Sequence, residues 1–199
     1  MSLISESIRA ELTRAYAAPD RYYHNMVHIE MLLGLMREHL PSLTDPVAVE
    51  AAIWFHDAIY DTRRQDNEAR SADLAVDRLS GTASPDQSER IAAMIRATAD
   101  HVLPSSFDER TATDCALFLD MDLAILAGAA KEFATYEVAV RREYSWVPEP
   151  MWIAGRRQVL ERFLARPSIY ASPQFRARCE EAARANLGRA LEALGAGKQ

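Results

Sequence analysis

An all-α fold follows from three features of the chain. Ala, Leu, Arg and Glu, all good helix formers, dominate the composition. Only 7 glycines and 9 prolines punctuate 199 residues. Apolar residues recur at spacings of three and four rather than two, which resolves into about seven helices. From about Asn25 to Leu40, His28, Met31, Leu32, Leu35 and Met36 keep helical spacing and Pro41 lies just beyond, so His28 belongs to the buried face. From Pro46 to about Tyr60 the stripe is Val47, Ala51, Trp54, Phe55 and Ile59, which puts the His56-Asp57 pair inside an apolar helix. Asn67 to Leu79 and Pro85 to His101 read as two amphipathic helices, the second with Ile91, Met94, Ile95 and Thr98 along one face, joined by the loop Gly81 to Ser84. Asp114 to Leu126 is almost wholly apolar apart from Asp120 and Asp122, the pattern of a central buried helix. Residues 130–165 give two long helices interrupted at Pro148 and Pro150, and Gln174 to Leu194 forms a last, Ala/Arg/Glu-rich helix. No repeat or low-complexity linker divides the chain, so residues 1–199 read as one domain.

Hydrophobic residues at 49% and charged residues at 26% suit a globular chain, long enough to bury a core without disulfides. The net charge of -6 disfavours binding to a nucleic acid polymer. Cys115 and Cys179 are far apart and form no CxxC pair, which suits a reducing compartment and makes both buried apolar fillers. Met1 to Arg14 lacks the apolar run of a signal peptide, and nowhere do ~18 apolar residues follow one another. The expectation is a cytoplasmic protein with no membrane partner.

A buried carboxylate is costly unless it is paired, hydrogen-bonded or bound to a metal. Asp57, Asp120 and Asp122 sit in the two most apolar segments, and the inward His28 and His56 supply complementary imidazoles. Two histidines and two carboxylates suit Mn, Fe, Co, Ni, Mg or Zn with positions left open for water. Each residue taken alone also fits a plain packing role, a satisfied core histidine or an Asp paired with an Arg. Asp120 and Asp122 point about 200° apart on a helix, so only one can be a ligand, and periodicity does not choose between them.

His28, the His56-Asp57 doublet and Asp122 resemble the H…HD…D signature of the HD superfamily of metal-dependent phosphohydrolases. The words RYYHNMVHI (Arg21 to Ile29), AIWFHDAIYD (Ala52 to Asp61), DNEARSA (Asp66 to Ala72), ATADH (Ala97 to His101) and LFLDMDLAIL (Leu117 to Leu126) are similar to a bacterial branch of predicted HD phosphohydrolases, and the likeness continues through GRRQVLERFLARPSIY. The resemblance implies a single-domain HD-type helical bundle whose ligands come from three helices. It implies His28, His56, Asp57 and Asp122 as the ligands, since HD relatives use the second acid of such a DxD word; Asp120 then supports the site by hydrogen bonding or packing. It also implies a water activated by the metal and attacking a phosphate ester.

Around this set, His24 precedes His28 by four residues and is a candidate substrate contact, or an exposed histidine at a helix start. Asp61 follows Asp57 by four, where (p)ppGpp hydrolases of the superfamily carry an acid; Tyr60 replaces the acid that precedes it there, so Asp61 is either a general base or the close of a helix. His101 is a candidate for the leaving group or a helix-end residue favoured by the dipole. Arg156 shares a stripe with Trp152, Val159, Leu160 and Phe163, which offers either bidentate phosphate binding or a salt bridge to a core acid. Arg141, Arg142 and Arg157 read as solvated surface, and Asn67 and Glu68 as structural. The substrate expected is a small phosphorylated metabolite, including nucleotides. The alternatives are a non-heme iron oxygenase of the HD type, for which this chain is short of histidines, and a catalytically silent metal-binding sensor or interaction protein. Trp146 and Trp152, beside the Pro148-Pro150 break, offer a contact for a homodimer.

Overall fold

A computed structural model describes residues 2–196 and is all-helical, with nine α-helices and no strand among the described residues. The chain falls into two compact units, one ending at Met121 and the other beginning at Asp122.

The first unit opens on a helix that the sequence reading does not assign, α1 (Glu6–Tyr16), capped by Ser5, whose side chain accepts from the Ile8 N–H. Its apolar residues Ile8, Leu12 and Tyr16 are buried, and Tyr16 donates its hydroxyl to the Trp54 carbonyl at 3.0 Å. The α2 helix (Met26–His39) starts behind Asn25, whose side chain accepts from Val27 N–H at 2.9 Å, and it buries His28, Ile29, Leu32 and Met36. Next comes α3 (Pro46–Phe55), with Asp45 as N-cap and Pro46 in the first turn, where a missing N–H costs nothing. Every residue of α3 from Ala51 to Phe55 is buried, and the helix packs against α2, α4 (Asn67–Leu79) and α5 (Pro85–Ala97). It is the axis of this unit's core. The turn between α4 and α5 places Gly81 at φ 84°, a conformation that glycine takes without steric cost. The unit closes within α6 (Glu109–Asp122), all but the last residue of which belongs to it; the helix is started by Asp108, whose carboxylate accepts from the N–H groups of Arg110 and Thr111 at 3.0 Å.

Several helix boundaries differ from expectation, among them the end of α6, which stops at Asp122 rather than Leu126 and passes into a 3-10 helix. Instead of reaching Tyr60, α3 stops at Phe55, because side chains take over the backbone groups that follow. Arg21 donates to the Asp57 and Ala58 carbonyls, Ser71 serves both backbone groups of Ile59, and Asn67 brackets Asp61. The α5 helix ends at Ala97 rather than His101, with Thr98 turning its hydroxyl onto the Ile95 carbonyl. The α6 helix begins five residues before Asp114, at Glu109, since Asp108 and not Asp114 caps it. Asp114 instead accepts from the N–H groups of Thr44 and Asp45 at 2.6 and 2.8 Å.

In the second unit a short 3-10 helix (Leu123–Ala127) is followed by α7 (Ala130–Glu143), α8 (Glu149–Leu164) and α9 (Pro173–Ala196). The prolines act as expected, Pro148 standing at the N-cap of α8. The long α9 packs on α8 and on the 3-10 helix, and Asn186 donates to the carbonyls of Leu126 and Gly128 at 2.8 and 2.9 Å. Arg141 is not solvated surface. It donates to the Tyr144 and Val147 carbonyls at 2.7 and 3.2 Å, pairs with Glu149 and lies over the Trp152 ring, stapling the turn between α7 and α8. Trp152 is half-buried there and Trp146 is exposed. Cys115 is buried as expected, its thiol pushed up to about 12 by burial and by Asp114 and Asp120, which makes it inert. Cys179 is only half-buried. No helix among the described residues is long and apolar enough to cross a membrane.

Candidate metal centre

The α2 helix, the end of α3 and the end of α6 bring polar side chains into an otherwise apolar interior. His28, on the inner face of α2, is 3% exposed, and His56, the residue that closes α3, is 1% exposed. Their Nε2 atoms lie 3.3 Å apart, and the Phe118 ring of α6 meets the His56 ring edge to face at 5.8 Å. Nδ1 of His56 lies 2.9 Å from the Ile53 carbonyl oxygen, which can only accept. In the neutral ring Nδ1 therefore carries the proton and Nε2 presents its lone pair. That lone pair faces Nε2 of His28 and, at 3.0 Å, Oδ2 of Asp57, which is also 4.0 Å from Nε2 of His28.

Asp122, the last residue of α6, completes a group. One ligand atom each from His28, His56 and Asp122 lie within 4.8 Å of one another, so these residues can hold a metal ion. Of the two acids in the DMD word it is Asp122 that joins the histidines, while Asp120 is fully buried. The donor set fits such an ion. Nitrogens bound to one ion at about 2.0–2.1 Å sit about 3 Å apart, close to the separation of the two imidazoles. Lone pairs this close also repel one another unless positive charge lies among them, as a shared proton or a metal cation.

The remaining candidates are distributed as follows. His24 lies in the turn before α2, half-buried, with its ring 4.3 Å from that of Tyr60 and 6.1 Å from that of His28. Asp61 is exposed in the loop after α3, where Oδ1 accepts from the Arg63 N–H at 2.9 Å. With α3 ending at Phe55, Asp57 and Asp61 do not share a helix face, and their four-residue spacing loses its meaning. His101 is in the turn after α5 at φ 52°, the one positive value outside glycine among the described residues, and is not part of the metal-holding group. Arg156, in the second unit, follows the salt-bridge alternative: buried at 8% exposure, it gives both Nε and Nη2 to the Glu137 carboxylate and Nη2 to the Tyr136 hydroxyl. Burial works against its charge, but Tyr136 and Glu137 outweigh burial and hold the guanidinium above its ordinary value. Two residues that the sequence reading did not weigh, Arg21 and Ser71, hold the backbone that carries Asp57 and Ile59. Arg21 opens the RYYHNMVHI word, and its place there was the available signal.

Fold and site together define a class, an all-helical protein with two buried histidines and a half-buried aspartate able to hold a metal ion. Comparison of the chain with family models, with curated proteins and with solved structures finds no match in any of the three.

Proposed function

We propose that this chain is a metal-dependent hydrolase of phosphate esters, of the HD type, that acts on a small phosphorylated metabolite or nucleotide with a divalent ion held by His28, His56, Asp57 and Asp122. The observation that carries the reading is the convergence of one ligand atom each from His28, His56 and Asp122 within 4.8 Å, with Oδ2 of Asp57 3.0 Å from His56. A divalent ion held there would supply Lewis-acid chemistry, activating water and offsetting charge on phosphoryl oxygens. The chain's own residues have separate tasks. The Ile53 carbonyl keeps the His56 proton on Nδ1, so that Nε2 remains a ligand. Asp61, exposed and with Oδ1 accepting from the Arg63 N–H, is the proposed general base. His24, stacked on Tyr60, and His101 are the proposed substrate contacts. Arg156 takes no part, since its guanidinium is committed to Glu137.

The experiment is metal analysis of the purified protein, followed by a phosphate-release screen over nucleotides and sugar phosphates with added Mn, Co, Ni or Mg and an Asp57→Ala control. Stoichiometric metal and turnover, both lost in the control, support the reading. Bound metal with no phosphate released from any compound overturns the hydrolase and leaves an oxygenase or a silent sensor. No metal in the protein overturns the metal centre itself.

A further inference from the structure

Arg21 lies between α1 and α2 and touches both segments that carry the proposed ligands of the first unit. Nη1 donates to the Asp57 carbonyl at 2.7 Å and to the His24 carbonyl at 3.2 Å, while Nη2 donates to the Ala58 carbonyl at 3.0 Å. The guanidinium is flanked by the Tyr16 ring at 5.0 Å and the Tyr60 ring at 5.4 Å, which fixes its plane.

Asp57 follows the last residue of α3 and has left the regular helix. The last bonds of that helix run from His56 N–H to the Ala52 carbonyl and from Ala58 N–H to the Phe55 carbonyl, both at 2.9 Å. They leave the carbonyls of Asp57 and Ala58 without a helical partner, and Arg21 takes both. The direction of the Asp57 side chain follows from the orientation of its own peptide, so the hydrogen bond from Arg21 also aims the carboxylate. On the other side, the His24 carbonyl belongs to the turn that feeds α2, a turn closed by Asn25 N–H on Tyr23 at 2.8 Å and by the Asn25 side chain on Tyr22 at 3.1 Å. His28 stands in the first turn of α2, immediately beyond it.

We infer that Arg21 is a positioning residue of the metal centre: its planar fork ties the backbone of Asp57 to the turn that launches α2, and so sets the distance between the Asp57 carboxylate and the two imidazoles. This rests on the reading of the cluster as a metal site. A lysine keeps the charge but lacks the fork, and cannot serve three carbonyls on two segments in one plane.

The test titrates Co2+ into the metal-free wild type, Arg21→Lys and Arg21→Ala. Binding is followed by visible absorption, which reports ligand geometry, and each metal-free form is also melted. The expected result for Arg21→Lys is a melting temperature close to wild type, Co2+ affinity lower by about 10-fold or more, and a shifted absorption band. Millimolar guanidinium restores part of the affinity to Arg21→Ala. Wild-type affinity and spectrum in Arg21→Lys overturn the inference. So does a metal-free Arg21→Lys that is unfolded, or destabilised in proportion to its lost affinity, because Arg21 is then a staple of the fold and nothing more. Failure of the wild type to bind Co2+ is a distinct outcome that removes the metal centre, and the inference with it.

Discussion

His56 gives its two nitrogens opposite work: Nδ1 is held by the Ile53 carbonyl one turn back in α3, and Nε2 faces His28 and Asp57. The two acids of α6 divide in a similar way, Asp122 grouping with the histidines and Asp120 lying fully buried. The division is testable by paired substitution. Asp122→Asn should lower Co2+ affinity by about 10-fold or more, with the unfolding free energy of the metal-free protein within about 0.5 kcal/mol of wild type. Asp120→Asn should cost about 1–3 kcal/mol in urea unfolding, because Asp120 is fully buried and an amide puts a donor where the carboxylate offered an acceptor. Equal metal losses in both variants would refute the assignment. At this scale His28 and His56 were legible, because polar residues in apolar stripes stand out; between Asp120 and Asp122 periodicity did not choose, and only the resemblance favoured Asp122. The pairing of Arg156 was legible only as an alternative. A stripe shows that a guanidinium turns inward, but its partner Glu137 belongs to another helix and no spacing connects the two. Arg21 was marked only by its place in the RYYHNMVHI word, and its partners were not legible at all: they are backbone carbonyls 36 and 37 residues away, and a carbonyl leaves no mark in a sequence.

Helices were legible where punctuation coincides with periodicity. Asn25, Pro46, Pro85 and Pro148 all stand at or beside helix starts, and α2, α3, α5 and α8 begin where they say. Ends were harder to read, since α3 stops where side chains from distant segments satisfy the backbone and not at a glycine or proline. The turn between α8 and α9 shows the same device and permits a prediction. Glu180, on α9, accepts from the Ile169 N–H at 3.0 Å, the Tyr170 N–H at 3.4 Å and Nε of Arg184 at 2.8 Å. Burial pushes its carboxyl upward, but these donors prevail and hold it below its ordinary 4.5. The folded protein thus binds this proton less tightly than the unfolded chain. The ionised carboxylate adds stability above 4.5, and that stability is lost as the pH falls through the lowered folded value. Glu180→Gln should therefore lose about 1 kcal/mol near neutral pH, with the gap to wild type closing in acid, as the pH falls from 4.5 through the lowered folded value. Urea unfolding at both pH values checks this; a gap that persists in acid would mean that packing, not charge, is what Gln disturbs.

At the scale of the molecule, no proline, glycine or polar linker marks the passage from the first unit to the second, since it falls at the end of a continuous helix between Met121 and Asp122. Composition could not reveal it. Net charge was legible and bears on how metal binding must be tested, because a chain at -6 gathers divalent cations on its surface without any site. Surface screening depends on total charge, whereas a site depends on particular donors. His28→Ala separates the two effects, as it removes an imidazole and leaves the net charge, counted with neutral histidine, at -6. An ion that binds the folded chain and not the unfolded one stabilises it by about 2.7 kcal/mol at a hundredfold excess over Kd. For a chain of this size that corresponds to a rise in Tm of about 5–10 °C. The expected result is a rise of this order with Co2+, reversed by chelator, absent in His28→Ala, and absent with Ca2+, which takes oxygen ligands and gains little from imidazole. Equal rises in wild type and His28→Ala, or equal rises with Co2+ and Ca2+, would place the ions on the acidic surface and remove His28 from the ligand set.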